Sequence, residues 1–430
     1  MFRIRSFSTG LVALALLSPV VSHAAPGNAD QRHFVFGTQA KPSPDVTAVT
    51  TAAPYGFGTG FGFEGDAPVL ETNSAGGHPF FFSFDAPEGN YKVTVSLGAG
   101  EAATTTVKAE LRRLMIESAE TPAGGAVTKT FIVNVRTPNL PNGGQVRLKA
   151  PRESEAEGRA WDNRITLEFD GQNPSVRAIT VAPVEVPTIY LLGDSTVCDQ
   201  SGEPYAAWGQ MLPRFFKPTV AIANHAESGE TVSASNGRYR FRKILSLIKP
   251  GDVFIVQFGH NDMKEMKNDP DAPKKYKAGL IDWVHQVQAK GAKAVIVTSM
   301  NRHSFKDGAV TDSLAPYPQL AREAAAETGA ALIDLNAKSK ILYETLGEEG
   351  SLALFEHNAD GSQRDATHQS PYGAYELAKI ITQGLRDTHL AVAGQLIDGL
   401  PVFDPAHPDP ESSYTVPPSV GLAAAKPFGN

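Results

Sequence analysis

A single cysteine, Cys198, stands in 430 residues, so no intramolecular disulfide is possible and stability has to come from packing. Beyond the first two dozen residues no run is long and apolar enough to cross a bilayer, which takes about 20 consecutive apolar residues. Basic charge is in deficit. With 39 Lys and Arg against 46 Asp and Glu the formal charge is -7, which argues against non-specific binding to nucleic acid or to an anionic membrane. Any polyanionic ligand therefore needs a local basic cleft. No His-Glu-x-x-His or comparable zinc spacing is present, and the acidic turn Asn268-Asp269-Pro270-Asp271 offers too few ligands for calcium. Internal repeats are also missing.

What is present suits a globular chain with two cores, since 41% of residues are hydrophobic and 20% charged. Met1-Phe2-Arg3-Ile4-Arg5, an apolar run from Leu11 to Val21 and then Ser22-His23-Ala24 read as a signal peptide over residues 1–24. Secretion or a periplasmic location is the corresponding expectation, and loss of Arg3 and Arg5 would take the charge from -7 to -9. Residues 25–185 read as an all-β sandwich domain. Its strand signals are Phe80–Phe84, Tyr91–Leu97, Thr104–Ile116, Lys129–Val135, Gln145–Lys149, Ile165–Phe169 and Val176–Val181, punctuated by Gly, Pro and Asn. Alternating aromatics and glycines over Pro54–Phe63 could stack on sugars, but period-2 aromatics more often fill a core.

Residues 186–390 change character. Strands at Thr188–Leu192, Val220–Asn224, Asp252–Phe258, Ala294–Ser299 and Ala331–Asp334 alternate with helical patterns at Trp208–Phe216, Tyr239–Ile248, Tyr276–Lys290, Leu314–Thr328 and Pro371–Thr388. Strict alternation predicts a parallel sheet with helices on both faces. Residues 391–430 form a Pro-rich C-terminal tail, expected either to lie along the surface or to be disordered.

Each strand of this second region delivers polar residues at its carboxyl end, where open α/β sheets bind ligands. The first ends in Gly193-Asp194-Ser195-Thr196 and the second in Asn224-His225-Ala226-Glu227-Ser228-Gly229-Glu230-Thr231. The third ends in Gln257-Phe258-Gly259-His260-Asn261-Asp262, and Asp365-Ala366-Thr367-His368 precedes the closing helix. Any one block is explained by turn and cap chemistry. Together they fit acyl transfer. A serine hydroxyl needs a base, and that base needs a third group to fix its tautomer. Ser195, His368 and Asp365 fill those roles. The backbone N–H groups of Ser195 and Gly229 and the side-chain amide of Asn261 can form an oxyanion hole, with Asp194 and His260 in support. Cys198 is the competing nucleophile, although a free cysteine is more often a small buried hydrophobe.

These four ordered blocks resemble the SGNH, or Gly-Asp-Ser, hydrolase superfamily. With Trp208-Gly209 they are similar more narrowly to rhamnogalacturonan acetylesterases, carbohydrate esterase family 12. The resemblance implies a flavodoxin-like parallel sheet preceded by a galactose-binding-like β-sandwich, and Ser195, Gly229, Asn261, Asp365 and His368 as catalytic positions. It further implies no metal or organic cofactor and an acetylated plant cell-wall polysaccharide, pectin, as partner. No Gly-x-Ser-x-Gly elbow surrounds Ser195, which favours the flavodoxin-like sheet. Glu230 stands where relatives usually carry Arg, and Gln369 where they usually carry Phe. Lys264, Lys267, Arg302 and His303 are expected to form a basic rim suited to the carboxylates of a galacturonate backbone. An esterase acting on acetylated xylan or other small acyl esters, and an inactive carbohydrate-binding protein, are the alternatives.

Overall fold

The computed structural model describes residues 31–420 apart from 57, 359 and 363. The expected signal peptide, 1–24, and residues 421–430 of the expected tail lie outside the described residues.

Two β-sheets packed face to face form the first part of the chain. In one, Val127–Val135, Gly89–Leu97, Ser175–Pro183 and Arg32–Phe36 are antiparallel neighbours, and Thr47–Val49 runs parallel to the last of them. The other has the order Phe61–Glu64, Phe80–Asp85, Arg164–Gln172, Ala103–Ala109 and Arg113–Thr121, all antiparallel. Alternation along the strands sends Phe34, Val93 and Val95 against Phe82, Phe84, Val107 and Leu167 in a single core. Phe61 and Phe63 of the aromatic–glycine stretch pack here too, Phe63 lying 5.2 Å from Phe82.

Two strand expectations fail. The run Thr104–Ile116 is two strands, because the chain turns at Glu110–Arg112 with left-handed backbone at Glu110 (φ 57°) and Arg112 (φ 61°). No Gly, Asn or Pro marks that turn. Long-range bonds hold it, with Glu110 N–H donating to Thr166 C=O at 2.8 Å and Arg112 Nη1 donating to Tyr205 C=O at 2.9 Å. Gln145–Lys149 is not a strand of either sheet, and it lies against the second region instead. Its Arg147 N–H donates to Arg238 C=O at 3.0 Å.

The second region holds a five-stranded, all-parallel sheet in the order Ala221–Asn224, Thr188–Gly193, Val253–Gln257, Lys293–Val297, Ala331–Ile333. This is the flavodoxin-like order, with the first strand beside the point where the winding reverses. Ile189 and Leu191 face a core shared with the helix Pro371–Asp387, while Tyr190 and Leu192 face one shared with the helix Ala272–Ala289. Both faces are thereby covered. A helix over Leu335–Gly350 stands where the sequence reading has no element. Asp334, read as a strand end, is its N-cap, accepting from Ala337 N–H.

Past Asp387 the chain is pinned along the surface. Ile397 N–H donates to Phe215 C=O at 3.0 Å, and Lys108 Nζ, from the β-region, donates to Pro417 C=O at 2.9 Å.

Candidate active site

Thr188–Gly193 is buried along its whole length, and its abrupt end sets the site. At Gly193 a Cβ would lie 2.7 Å from Gln257 O and 2.5 Å from Val197 Cγ2, so the turn can pass this close to the neighbouring strand only without a side chain. Asp194 then closes the turn, its Oδ1 accepting from Thr196 N–H at 3.0 Å and from Thr196 Oγ1 at 2.7 Å. Thr196 Oγ1 in turn accepts from Gln257 Nε2, whose Oε1 accepts from Trp208 Nε1 at 2.9 Å. Ser195 is left at the carboxyl edge of the sheet, 2% exposed.

Ser195 Oγ lies 2.8 Å from His368 Nε2, and His368 Nδ1 lies 2.8 Å from Asp365 Oδ2. An ionised carboxylate can only accept, so Nδ1 carries the ring proton and Nε2 accepts from the serine hydroxyl. Burial raises the Asp365 pKa, but the His368 ring and the His368 and Thr367 backbone N–H groups outweigh it and hold the carboxyl well below the usual range. Tyr205 stands edge-on to the imidazole, 5.9 Å between ring centres.

The second and third blocks close around this axis. Glu227 N–H donates to Gly193 C=O at 3.1 Å, and Gly229 takes left-handed backbone, φ 71°. Asn261 Nδ2 donates to Glu230 C=O at 3.1 Å, while Lys264 Nζ lies 3.5 Å from Asn261 Oδ1, which together fix the amide's orientation. One Asn261 N–H is thereby committed and the second remains. Among the described residues, the Ser195 and Gly229 N–H groups donate to no protein acceptor. Asp262, the last residue of the third block, has a structural role to which residue type alone does not point: it accepts from Val232 N–H at 2.9 Å and Gly259 N–H at 3.0 Å, tying these two blocks together.

Other expectations need correction. The ring nitrogens of His260 make no hydrogen bond among the described residues, and the nearest partner is Asp194 Oδ2 at 3.5 Å. Burial lowers the His260 pKa against the opposing pull of Asp194, and no hydrogen bond from this ring to the Asn261 loop is found among the described residues. Arg302 is partly buried and its guanidinium is engaged with the site's own loops. It donates to Thr367 Oγ1 inside the Asp365–His368 loop and to His260 C=O at 3.1 Å. His303 is buried, with Nε2 2.9 Å from Glu348 O and its ring beside Phe355, so it does not join the rim. Lys264 is half-buried and Lys267 exposed. Burial pushes the Cys198 thiol well up, which leaves it a poor nucleophile. Glu153, Glu157 and Glu227 could together reach one metal ion, but Arg152 already pairs with Glu157 and Arg240 with Glu153. Burial and the neighbouring Glu157 and Glu153 carboxylates raise the Glu227 pKa, while Arg240 and Arg152, the latter 3.7 Å away, oppose the shift.

A family model described as GDSL-like lipase/acylhydrolase matches residues 191–409. The rhamnogalacturonan acetylesterase RhgT of Bacillus subtilis (strain 168) is 35% identical over 219 residues, 49% of this chain and 94% of that protein. The uncharacterized esterase YxiM of the same organism is 30% identical over 316 residues, 72% of this chain and 75% of its own. The crystal structure of YxiM aligns with a TM-score of 0.46 at 25% identity, covering 84% of this chain and 99% of that one.

Proposed function

Because the chain belongs to the GDSL-like lipase/acylhydrolase family, we propose that it is an exported serine carbohydrate esterase that removes acetyl groups from pectin, specifically rhamnogalacturonan. The observation that carries the chemistry is the hydrogen-bonded series Ser195 Oγ, His368 Nε2, His368 Nδ1, Asp365 Oδ2. In this reading Ser195 Oγ attacks the acetyl carbonyl carbon as its proton passes to His368 Nε2. The imidazolium returns that proton to the departing sugar oxygen, leaving Ser195 acetylated. Water, deprotonated by the same nitrogen, then releases acetate. The N–H groups of Ser195 and Gly229 and the second N–H of Asn261 Nδ2 stabilise the tetrahedral oxyanion. Asn261→Ala should lower kcat by about 100- to 1000-fold with little change in KM, measured on a small acetyl ester. A drop confined to KM would remove Asn261 from that role.

The polymer is supported by the name of the relative RhgT and by the Lys264 and Lys267 side chains beside the Asn261 loop. Export is supported by the N-terminal sequence pattern alone. The decisive assay is acetate release from acetylated rhamnogalacturonan, acetylated xylan and p-nitrophenyl acetate. Faster release from xylan would reassign the polymer, and none from any ester would favour a binding protein. Lys267→Ala should weaken activity on acetylated pectin while sparing p-nitrophenyl acetate. Arg302→Ala should weaken both, because Arg302 braces the loop that carries Asp365 and His368. If Lys267→Ala impaired the two substrates equally, the basic rim would be the wrong explanation for pectin selectivity.

A further inference from the structure

We propose that Lys149, contributed by the β-region, is a positioning residue for the oxyanion hole, locking the Ser228–Gly229 peptide with its N–H toward Ser195. This rests on the reading above, in which the Gly229 N–H is an oxyanion donor. Lys149 lies in the long connection between the strands Val127–Val135 and Arg164–Gln172, which crosses onto the second region. Its Nζ donates to Ser228 C=O and pairs with Glu230 Oε1 at 2.7 Å, so one ammonium grips the residues on both sides of Gly229.

The Ser228 carbonyl and the Gly229 N–H belong to the same peptide unit. That bond is trans, so the two groups point in opposite directions. A cation that fixes the carbonyl therefore also fixes the direction of the N–H, which in the proposed arrangement is toward Ser195. Without it the plane is easily turned over, because rotation about the glycine's φ meets no Cβ, and a flipped peptide would present a carbonyl oxygen to the oxyanion. Lys149 is the only donor to Ser228 O among the described residues.

A role in merely neutralising Glu230 is served elsewhere. Glu230 Oε1 is also 3.2 Å from Arg238 Nε, its Oε2 is 3.7 Å from Arg240 Nε, and Ser235 Oγ donates to Oε2 at 3.0 Å. Arg152 Nη2 holds the Ser228 side chain, donating to Oγ at 2.9 Å. Removing Lys149 thus leaves the buried carboxylate paired and frees the one carbonyl that matters.

The test compares wild type, Lys149→Met, Lys149→Arg and Ser195→Ala in the full chain, with p-nitrophenyl acetate as substrate and thermal melting as a folding control. Lys149→Met should lose about 10- to 100-fold in kcat with KM nearly unchanged, and Lys149→Arg, which keeps a cationic donor, should recover most of it. A Lys149→Met kcat within about two-fold of wild type, or a loss carried by KM, overturns the proposal. If Lys149→Met does not fold, Lys149→Ala, which likewise carries no donor, is read by the same criteria. Retained activity in Ser195→Ala would instead bring down the serine-esterase reading itself, so the two failures are distinguishable.

Discussion

Replacing Ser195 with alanine is expected to lower turnover of an acetyl ester by on the order of a millionfold, the scale seen when the nucleophile of a serine hydrolase is removed. The side chain is 2% exposed and its Oγ has His368 Nε2 at 2.8 Å, so alanine removes one hydroxyl and leaves the surrounding packing in place. Folding and polysaccharide binding should survive, as thermal melting and a pull-down on acetylated pectin would register. Labelling by a fluorophosphonate should vanish with the hydroxyl. Cys198 offers no fallback, because its thiol is buried and pushed into the protonated form. Residual activity within about a hundredfold of wild type would place the nucleophile elsewhere.

Asp365→Asn is the second large effect, expected to lower kcat by about 10,000-fold while preserving the loop. Asp365 Oδ1 accepts from Thr367 N–H at 2.8 Å and His368 N–H at 3.0 Å, and an asparagine carbonyl can keep both. The Nδ2 group then replaces Oδ2 opposite His368 Nδ1. A donor facing that nitrogen forces the ring proton onto Nε2, and the base is lost to the wrong tautomer. The pH dependence has a definite sign. The folded-state pKa of Asp365 is depressed, so its stabilising effect is present above the unfolded carboxyl's pKa and is lost only as pH falls through the lower folded value. Asp365 should therefore stay ionised across the neutral and mildly acidic range. An acid limb in kcat/KM belongs to another group, and a limb that moved in proportion to Asp365 substitutions would contradict this.

Much of the site was legible because acyl transfer constrains local sequence. Ser195, Asp365 and His368 sit in short segments whose turn chemistry and chemical role coincide, and strand–helix alternation placed three of the four blocks at strand ends. The helix Leu335–Gly350 is not legible because its N-cap, Asp334, directly follows a three-residue strand and continues its pattern. The turn at Glu110–Arg112 escaped because its residues carry no local turn preference, and bonds to Thr166 and Tyr205 hold it. The bracing contacts of Arg302 are not legible in the sequence, because charge alone says nothing about where a flexible side chain finds acceptors.

The amino-acid sequence by itself determined the all-β then α/β architecture and the parallel sheet with two covered faces, and it pointed to Ser195, His368 and Asp365 for the proposed catalytic roles. Each follows from periodicity or from residue types adjacent along the chain. Only the tertiary structure decided that Arg302 braces the His368 loop, that His260 is buried with its ring 3.5 Å from Asp194, and that Lys149 reaches the peptide before Gly229. Those depend on contacts between residues 42 to 79 positions apart, such as Arg302 with His260 and Lys149 with Ser228. Their partners are chosen by how sheets and connections pack, and no local pattern in the chain records that choice.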